Sequence, residues 1–126
     1  MKTFLIADDS REKILLLRYM LKRAHWEGKL LIAETTEQAK ILIDTNSDID
    51  AAFIDYYIPS ENGPSVIAYL REKCPLSRIA LVSSADNAEN TERAIRAGAE
   101  AAVCTTHQSD VVERQILTLL EAWMGS

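Results

Sequence analysis

The stretch Phe53-Ile54-Asp55-Tyr56-Tyr57-Ile58-Pro59, followed shortly by Asn62-Gly63-Pro64, decides how this chain is read. Ala51 to Ile54 is a short apolar run, the pattern of a strand buried on both faces of a sheet. The run stops at a carboxylate. Pro59 cannot continue a ladder or a helix, so the chain turns there. Asn62-Gly63-Pro64 then leads into a helix, with Pro64 near its first position. Asp55 is thereby placed at the C-terminal lip of a buried strand, where open parallel sheets bind their ligands. Taken alone, an acidic residue here does no more than end a strand. Its significance depends on the rest of the chain.

Upstream, Phe4-Leu5-Ile6-Ala7 is a first apolar run that ends in Asp8-Asp9-Ser10. Ile14, Leu17, Leu21 and Ala24 lie on one helical stripe within residues 11 to 25, and Gly28 closes that region. Lys29 to Ala33 reads as a second strand. Thr35 and Gln38 have capping-box spacing before a helix marked by Ala39, Leu42 and Ile43. A polar loop over residues 44 to 50 delivers the third strand. Downstream, a helix over about 64 to 74 faces Val66, Ile67, Leu70 and Cys74 inward. Ile79 to Val82 is a fourth strand, ending in Ser83-Ser84. The helix over about 87 to 97 is poor in large apolar residues, so it is the most weakly anchored, and Gly98 caps it. Ala101 to Cys104 is the fifth strand. A last helix, entered through Ser109 or Asp110, carries the stripe Val112, Ile116, Leu119 and Trp123.

Strand and helix therefore alternate five times with short connections. That pattern calls for an α/β domain with a parallel sheet, helices on both faces and right-handed crossovers. Asp8-Asp9, Asp55, Ser83-Ser84 and Thr105-Thr106 all follow strands, and in a parallel sheet these ends share one edge. One site can collect them.

Composition narrows the function. A chain of 126 residues that is 48% hydrophobic makes one domain, residues 1–126, with a real core. The net charge of −5 argues against a nucleic-acid surface, which needs clustered Lys and Arg. Basic residues between Arg11 and Arg23 alternate with apolar ones and read as the solvated face of an amphipathic helix. Cys74 and Cys104 lack zinc-site spacing and read as reduced core or near-core residues. With no membrane-length apolar run and no signal-peptide pattern, the expected location is cytoplasmic. Gly125-Ser126 has the look of an appended tail, which leaves room for an effector domain beyond Met124.

Three convergent carboxylates repel one another unless a cation is present or one is protonated. At least one is therefore expected to have a raised pKa without metal. Their oxygens suit a hard divalent ion, Mg2+ above all, which takes few protein ligands plus water and phosphate. A carboxylate beside Mg2+ can attack a phosphoryl group, and the Ser83 hydroxyl is a candidate donor to a phosphoryl oxygen. The plainer roles are N-capping for Asp9 or Ser10 and local backbone bonding for Ser83.

In these residues the chain resembles the receiver domains of two-component response regulators, over essentially its whole length. The matching pieces are Asp8-Asp9 after the first strand, Asp55 followed by Ile58-Pro59 and Gly63, Ser83 after the fourth strand, and Arg96-Ala97-Gly98-Ala99 at the family's interval beyond it. The resemblance implies a flavodoxin-like (βα)5 three-layer sandwich with a five-stranded sheet of order 2-1-3-4-5. It implies Asp55 as phosphoacceptor, Asp9 as direct metal ligand with Asp8 acting through water, and the Tyr57 backbone carbonyl as third protein ligand. Ser83 takes the role of switch hydroxyl, with Ser84 the small residue beside it. Mg2+ is the implied cofactor, and a histidine kinase or phosphotransfer protein the implied donor. The domain is not an enzyme beyond self-catalysed phosphotransfer and autodephosphorylation. Output runs through a downstream protein or an effector domain, with no membrane or nucleic-acid contact by this domain.

Two positions depart from the family. Thr105-Thr106 stands where a lysine and proline follow the fifth strand, and Ala102 stands where that strand has an aromatic rotor. His107 is a candidate substitute cation. With both residues missing, the face formed by the fourth helix, fifth strand and fifth helix is expected to respond less to phosphate than in other receivers. The alternative function is a pseudo-receiver, an interaction module that keeps the fold without phosphate control. A flavin protein of the same architecture is disfavoured because Asp8-Asp9-Ser10-Arg11-Glu12 would repel the flavin phosphate. A haloacid-type phosphatase lacks its Asp-x-Asp motif here.

Overall fold

The computed structural model describes residues 1–85 and 87–125. Asp86 and Ser126, the last residue of the expected tail, lie outside the described residues. Five strands and five helices alternate along the chain: β1 (Thr3–Ala7), α1 (Arg11–Arg23), β2 (Lys29–Ala33), α2 (Thr36–Thr45), β3 (Ala51–Ile54), α3 (Gly63–Lys73), β4 (Arg78–Ser83), α4 (Ala88–Ala97), β5 (Ala101–Cys104) and α5 (Ser109–Met124). All strand pairs are parallel, in the order β2-β1-β3-β4-β5. This is the (βα)5 sandwich expected from the resemblance. The order in which strands are added across the sheet reverses at β1, so β1 and β3 are neighbours and their C-terminal ends bound the crevice where such sheets bind ligands.

Period-two alternation sorts the strand residues into two cores. Leu5, Ala7, Ile54, Ile79 and Leu81 pack under α2, α3 and α4. Phe4, Ile6, Phe53, Val82 and Val103 pack under α1 and α5. The second core holds an aromatic cluster in which Phe53 meets Phe4 at 4.9 Å and Trp123 at 5.6 Å between ring centroids. Tyr56 and Trp123 are buried, whereas Tyr57 is exposed. Cys74 is buried, Cys104 is half-buried, and both are free thiols.

Helix ends follow the sequence signals with some corrections. Ser10 caps α1 by accepting from the Lys13 amide, and Asn62 caps α3 with Pro64 in its first turn. Thr35 caps α2 through the Gln38 amide, but the Gln38 side chain reaches back to the Glu34 amide, one residue beyond a standard capping box. At α5 the cap position is Gln108, without a side-chain bond, in place of Ser109 or Asp110. The buried stripe of α5 is Val112, Ile116, Leu120 and Trp123. Leu120 takes the place expected for Leu119, which is half-buried, because a stepping of four, four and three keeps the side chains over the sheet. The only buried side chains of α4 are Asn90 and Ala94, as its sparse apolar content requires.

Candidate phosphoacceptor and metal site

The strand ends place the acidic residues. Asp55 donates its amide to the Ala7 carbonyl at 2.9 Å and Asp8 donates to the Ala33 carbonyl at 2.9 Å, so each carboxylate begins where its ladder ends. Ligand-capable oxygens of Asp8, Asp9 and Asp55 all lie within 4.8 Å of one another. Asp8 is almost wholly buried, Asp55 is buried, and Asp9 is exposed. The Asp8 Oδ1 accepts from the Ser10 amide at 2.8 Å, and the Asp55 Oδ1 accepts from the Tyr56 amide at 2.9 Å. Three oxygen donors, two enclosed and one open to solvent, fit a hard cation that retains water.

The loop after Asp55 is held from two sides. Gly63 donates to the Tyr56 carbonyl at 2.7 Å, and a Cβ at position 63 would fall 2.1 Å from the Asp55 carbonyl oxygen. Only glycine lets α3 start so close to the Asp55 backbone. On the other side, the buried Thr36 donates its amide and its hydroxyl to the Pro59 carbonyl. Tyr57, whose carbonyl was expected as a ligand, stands in this loop directly beyond the carboxylates.

A cation already occupies the acidic cluster. Lys13, in the first turn of α1, places its ammonium 2.8 Å from Asp8 Oδ2 and 2.8 Å from Asp55 Oδ1. It also donates to the Val82 carbonyl at 3.0 Å. Its side chain is only 12% exposed, so Lys13 is not part of a solvated basic face. Periodicity could not reveal this, because a lysine flanking an apolar stripe has the same pattern whether its head snorkels to water or turns into a cleft. One signal was available: Lys13 follows the acidic pair by a single helical turn.

Asp8 has a raised pKa, as expected for one member of the cluster. Burial is the main cause, Lys13 and the Ser10 amide oppose it, and repulsion from Asp55 is the smallest contribution. The direction agrees with the crowding argument, but desolvation outweighs like-charge repulsion.

Ser83 is buried at the end of β4, and its Oγ accepts from the Ala85 amide at 3.2 Å. Thr105 continues the β5 ladder by donating its amide to the Ser83 carbonyl, and its hydroxyl points to the same oxygen at 3.4 Å. His107 is exposed beyond β5. Ala102 is also exposed and helps line a pocket of about 160 Å³ with Ser83, Thr91, Cys104 and His107. Two polar links missed by the sequence reading join this loop to α4. Asn90 Nδ2 donates to the Tyr57 hydroxyl at 3.0 Å, and Arg93 Nη1 donates to the Tyr56 hydroxyl at 3.3 Å.

The family model of the response regulator receiver domain matches residues 4–115. The chain belongs to this family. No curated protein sequence matches it. Among solved structures, the Mn2+-bound response regulator Rcp1 superposes with a TM-score of 0.84 at 13% identity, covering 100% of this chain and 96% of that one. A CheY-like receiver domain from Methanospirillum hungatei JF-1 superposes with a TM-score of 0.77 at 19% identity, covering 99% and 98%. A Burkholderia pseudomallei response regulator with a phosphorylated aspartic acid and a calcium ion has a TM-score of 0.76 at 19% identity, covering 99% and 72%. Among the described residues no helix is long and apolar enough to cross a membrane.

Proposed function

We propose that this receiver domain is a phosphoacceptor that takes a phosphoryl group on Asp55 from a histidine kinase or phosphotransfer protein. The observation that carries this reading is the gathering of Asp8, Asp9 and Asp55 within 4.8 Å at the C-terminal edge of the sheet. In the reaction a carboxylate oxygen of Asp55 attacks phosphorus. The electron pair of the breaking P–N bond stays on the donor imidazole, and Asp55 becomes an acyl phosphate. Asp9, Asp8, Asp55 and the Tyr57 carbonyl are the residues that would hold Mg2+. The bound ion supplies charge neutralisation for the transferring phosphoryl group. Ser83, whose Oγ accepts from the Ala85 amide, would donate its hydroxyl proton to a phosphoryl oxygen. Thr105, at the usual lysine position, offers a hydroxyl in place of a charge. The domain works in the cytoplasm and passes its signal by protein contact.

Intact mass after incubation with acetyl phosphate and Mg2+ tests this. The wild type should gain one phosphoryl mass and Asp55→Asn none. Equal labelling of both would remove Asp55 as phosphoacceptor, and no labelling of a folded wild type would favour the pseudo-receiver alternative.

A further inference from the structure

We infer that Lys13, reaching in from α1, is the cation of the phosphoacceptor pocket and does there what a lysine after β5 would otherwise do. The inference rests on the phosphoacceptor reading of Asp55 and adds to it a residue that no motif assigns.

The geometry is specific. An ammonium has three protons, and Lys13 has three acceptors in reach: Asp8 Oδ2, Asp55 Oδ1 and the Val82 carbonyl. These belong to the ends of three neighbouring strands, β1, β3 and β4, so one side chain ties together the sheet edge on which the site is built. Asp8 Oδ2 is buried, and its compensation is the ionic contact with the Lys13 ammonium at 2.8 Å. A long side chain loses rotamer freedom when it is extended and enclosed in this way, which a surface ion pair would not repay. Meanwhile the residue after β5 is turned elsewhere, since the Thr105 hydroxyl points to the Ser83 carbonyl of the neighbouring strand.

The chemistry follows from the position. With Asp55 unmodified, Lys13 offsets part of the negative charge of the cluster and orients the Asp55 carboxylate. After transfer, a phosphoryl group on Asp55 adds oxygens within reach of an ammonium that stood 2.8 Å from the carboxylate. Lys13 then exchanges a carboxylate oxygen for a phosphoryl oxygen without leaving the pocket. The cation enters from the helix that follows the acidic pair, so its anchor is α1 rather than the β5–α5 loop. Retention of phosphate is thereby linked to α1.

The test uses Lys13→Met and Lys13→Gln, the second keeping a donor for the Val82 carbonyl without the charge. Two quantities are read: the rate of phosphoryl mass gain with acetyl phosphate and Mg2+, and retention of beryllofluoride followed by fluorine NMR. Losing a charge-assisted contact should slow labelling and weaken retention by about ten- to a hundredfold. Thr105→Lys in the Lys13→Met background should bring both back to within about threefold of wild type, because it returns a cation to the same oxygens from the other side. A merely structural lysine would leave both quantities unchanged in whichever variant stays folded by circular dichroism. If both variants label and retain the mimic as wild type does, Lys13 is not the pocket cation, although Asp55 remains the acceptor. If wild type itself takes up neither phosphoryl nor beryllofluoride, the phosphoacceptor reading fails, and this inference with it.

Discussion

At Asp8, burial raises the pKa while the Lys13 ammonium and the Ser10 amide lower it, and burial prevails. The sign of the pH dependence follows. A carboxyl whose folded pKa lies above its unfolded value contributes stability while protonated. That contribution is full below the unfolded value of about 3.9 and is lost as pH rises through the higher folded value. Other acidic groups act oppositely, Glu61 among them, since Lys40 and Ser65 lower its pKa. The useful quantity is therefore a difference. Without metal, the urea stability of wild type minus that of Asp8→Asn should fall as pH rises above about 4. A difference that rises with pH would show that the Lys13 ion pair outweighs desolvation. Sequence marks a lysine as charged, but its four-carbon stem spans enough distance that only the folded surroundings say where the charge ends.

Among the elements, α4 is where the sequence reading and the structure meet most usefully. Its weak apolar face was legible, and only Asn90 and Ala94 are buried. What holds its outer end was not legible: bonds from Asn90 and Arg93 to the hydroxyls of Tyr57 and Tyr56, the two residues directly after Asp55. These give α4 a polar connection to the phosphoacceptor loop that bypasses Ala102. The missing rotor argues for a quiet α4–β5–α5 face, whereas the tyrosine links argue for a response confined to α4. We predict that beryllofluoride shifts amides of the first two turns of α4 as strongly as those around Asp55, while β5 stays nearly silent. Tyr57→Phe removes a bond worth about 1 kcal/mol and should cut the α4 shifts and speed amide exchange there roughly fivefold. Equal α4 shifts in wild type and Tyr57→Phe would exclude this link.

For the whole molecule, stability rests on two cores divided by one sheet, and α5 closes the aromatic one. The stripe on α5 decides which leucine bears that load. Leu120→Ala opens a fully enclosed site and should cost about 2–5 kcal/mol, with Leu119→Ala costing less than half as much. Denaturant unfolding monitored by tryptophan emission measures both. Comparable losses would mean that the helix sits rotated about its axis from the position described.

The sequence by itself determined the elements and the chemistry available to them. Ala51–Ile54, Lys29–Ala33 and Ala101–Cys104 are strands at the residues expected, because short apolar runs bounded by turn residues carry their signal locally. The same holds for Asp8, Asp9, Asp55 and Ser83 as strand-end groups, since a parallel sheet brings such ends to one edge whatever its strand order. Only the tertiary structure decided which ends touch and what fills the space between them. The order β2-β1-β3-β4-β5 depends on crossover packing between distant segments, and residue patterning alone does not specify it. The pairing of Lys13 with Asp55, and of Asn90 with Tyr57, joins residues far apart in the chain through long side chains. Local periodicity is blind to such contacts, because their energy arises only when the sheet has already brought the partners within hydrogen-bond reach.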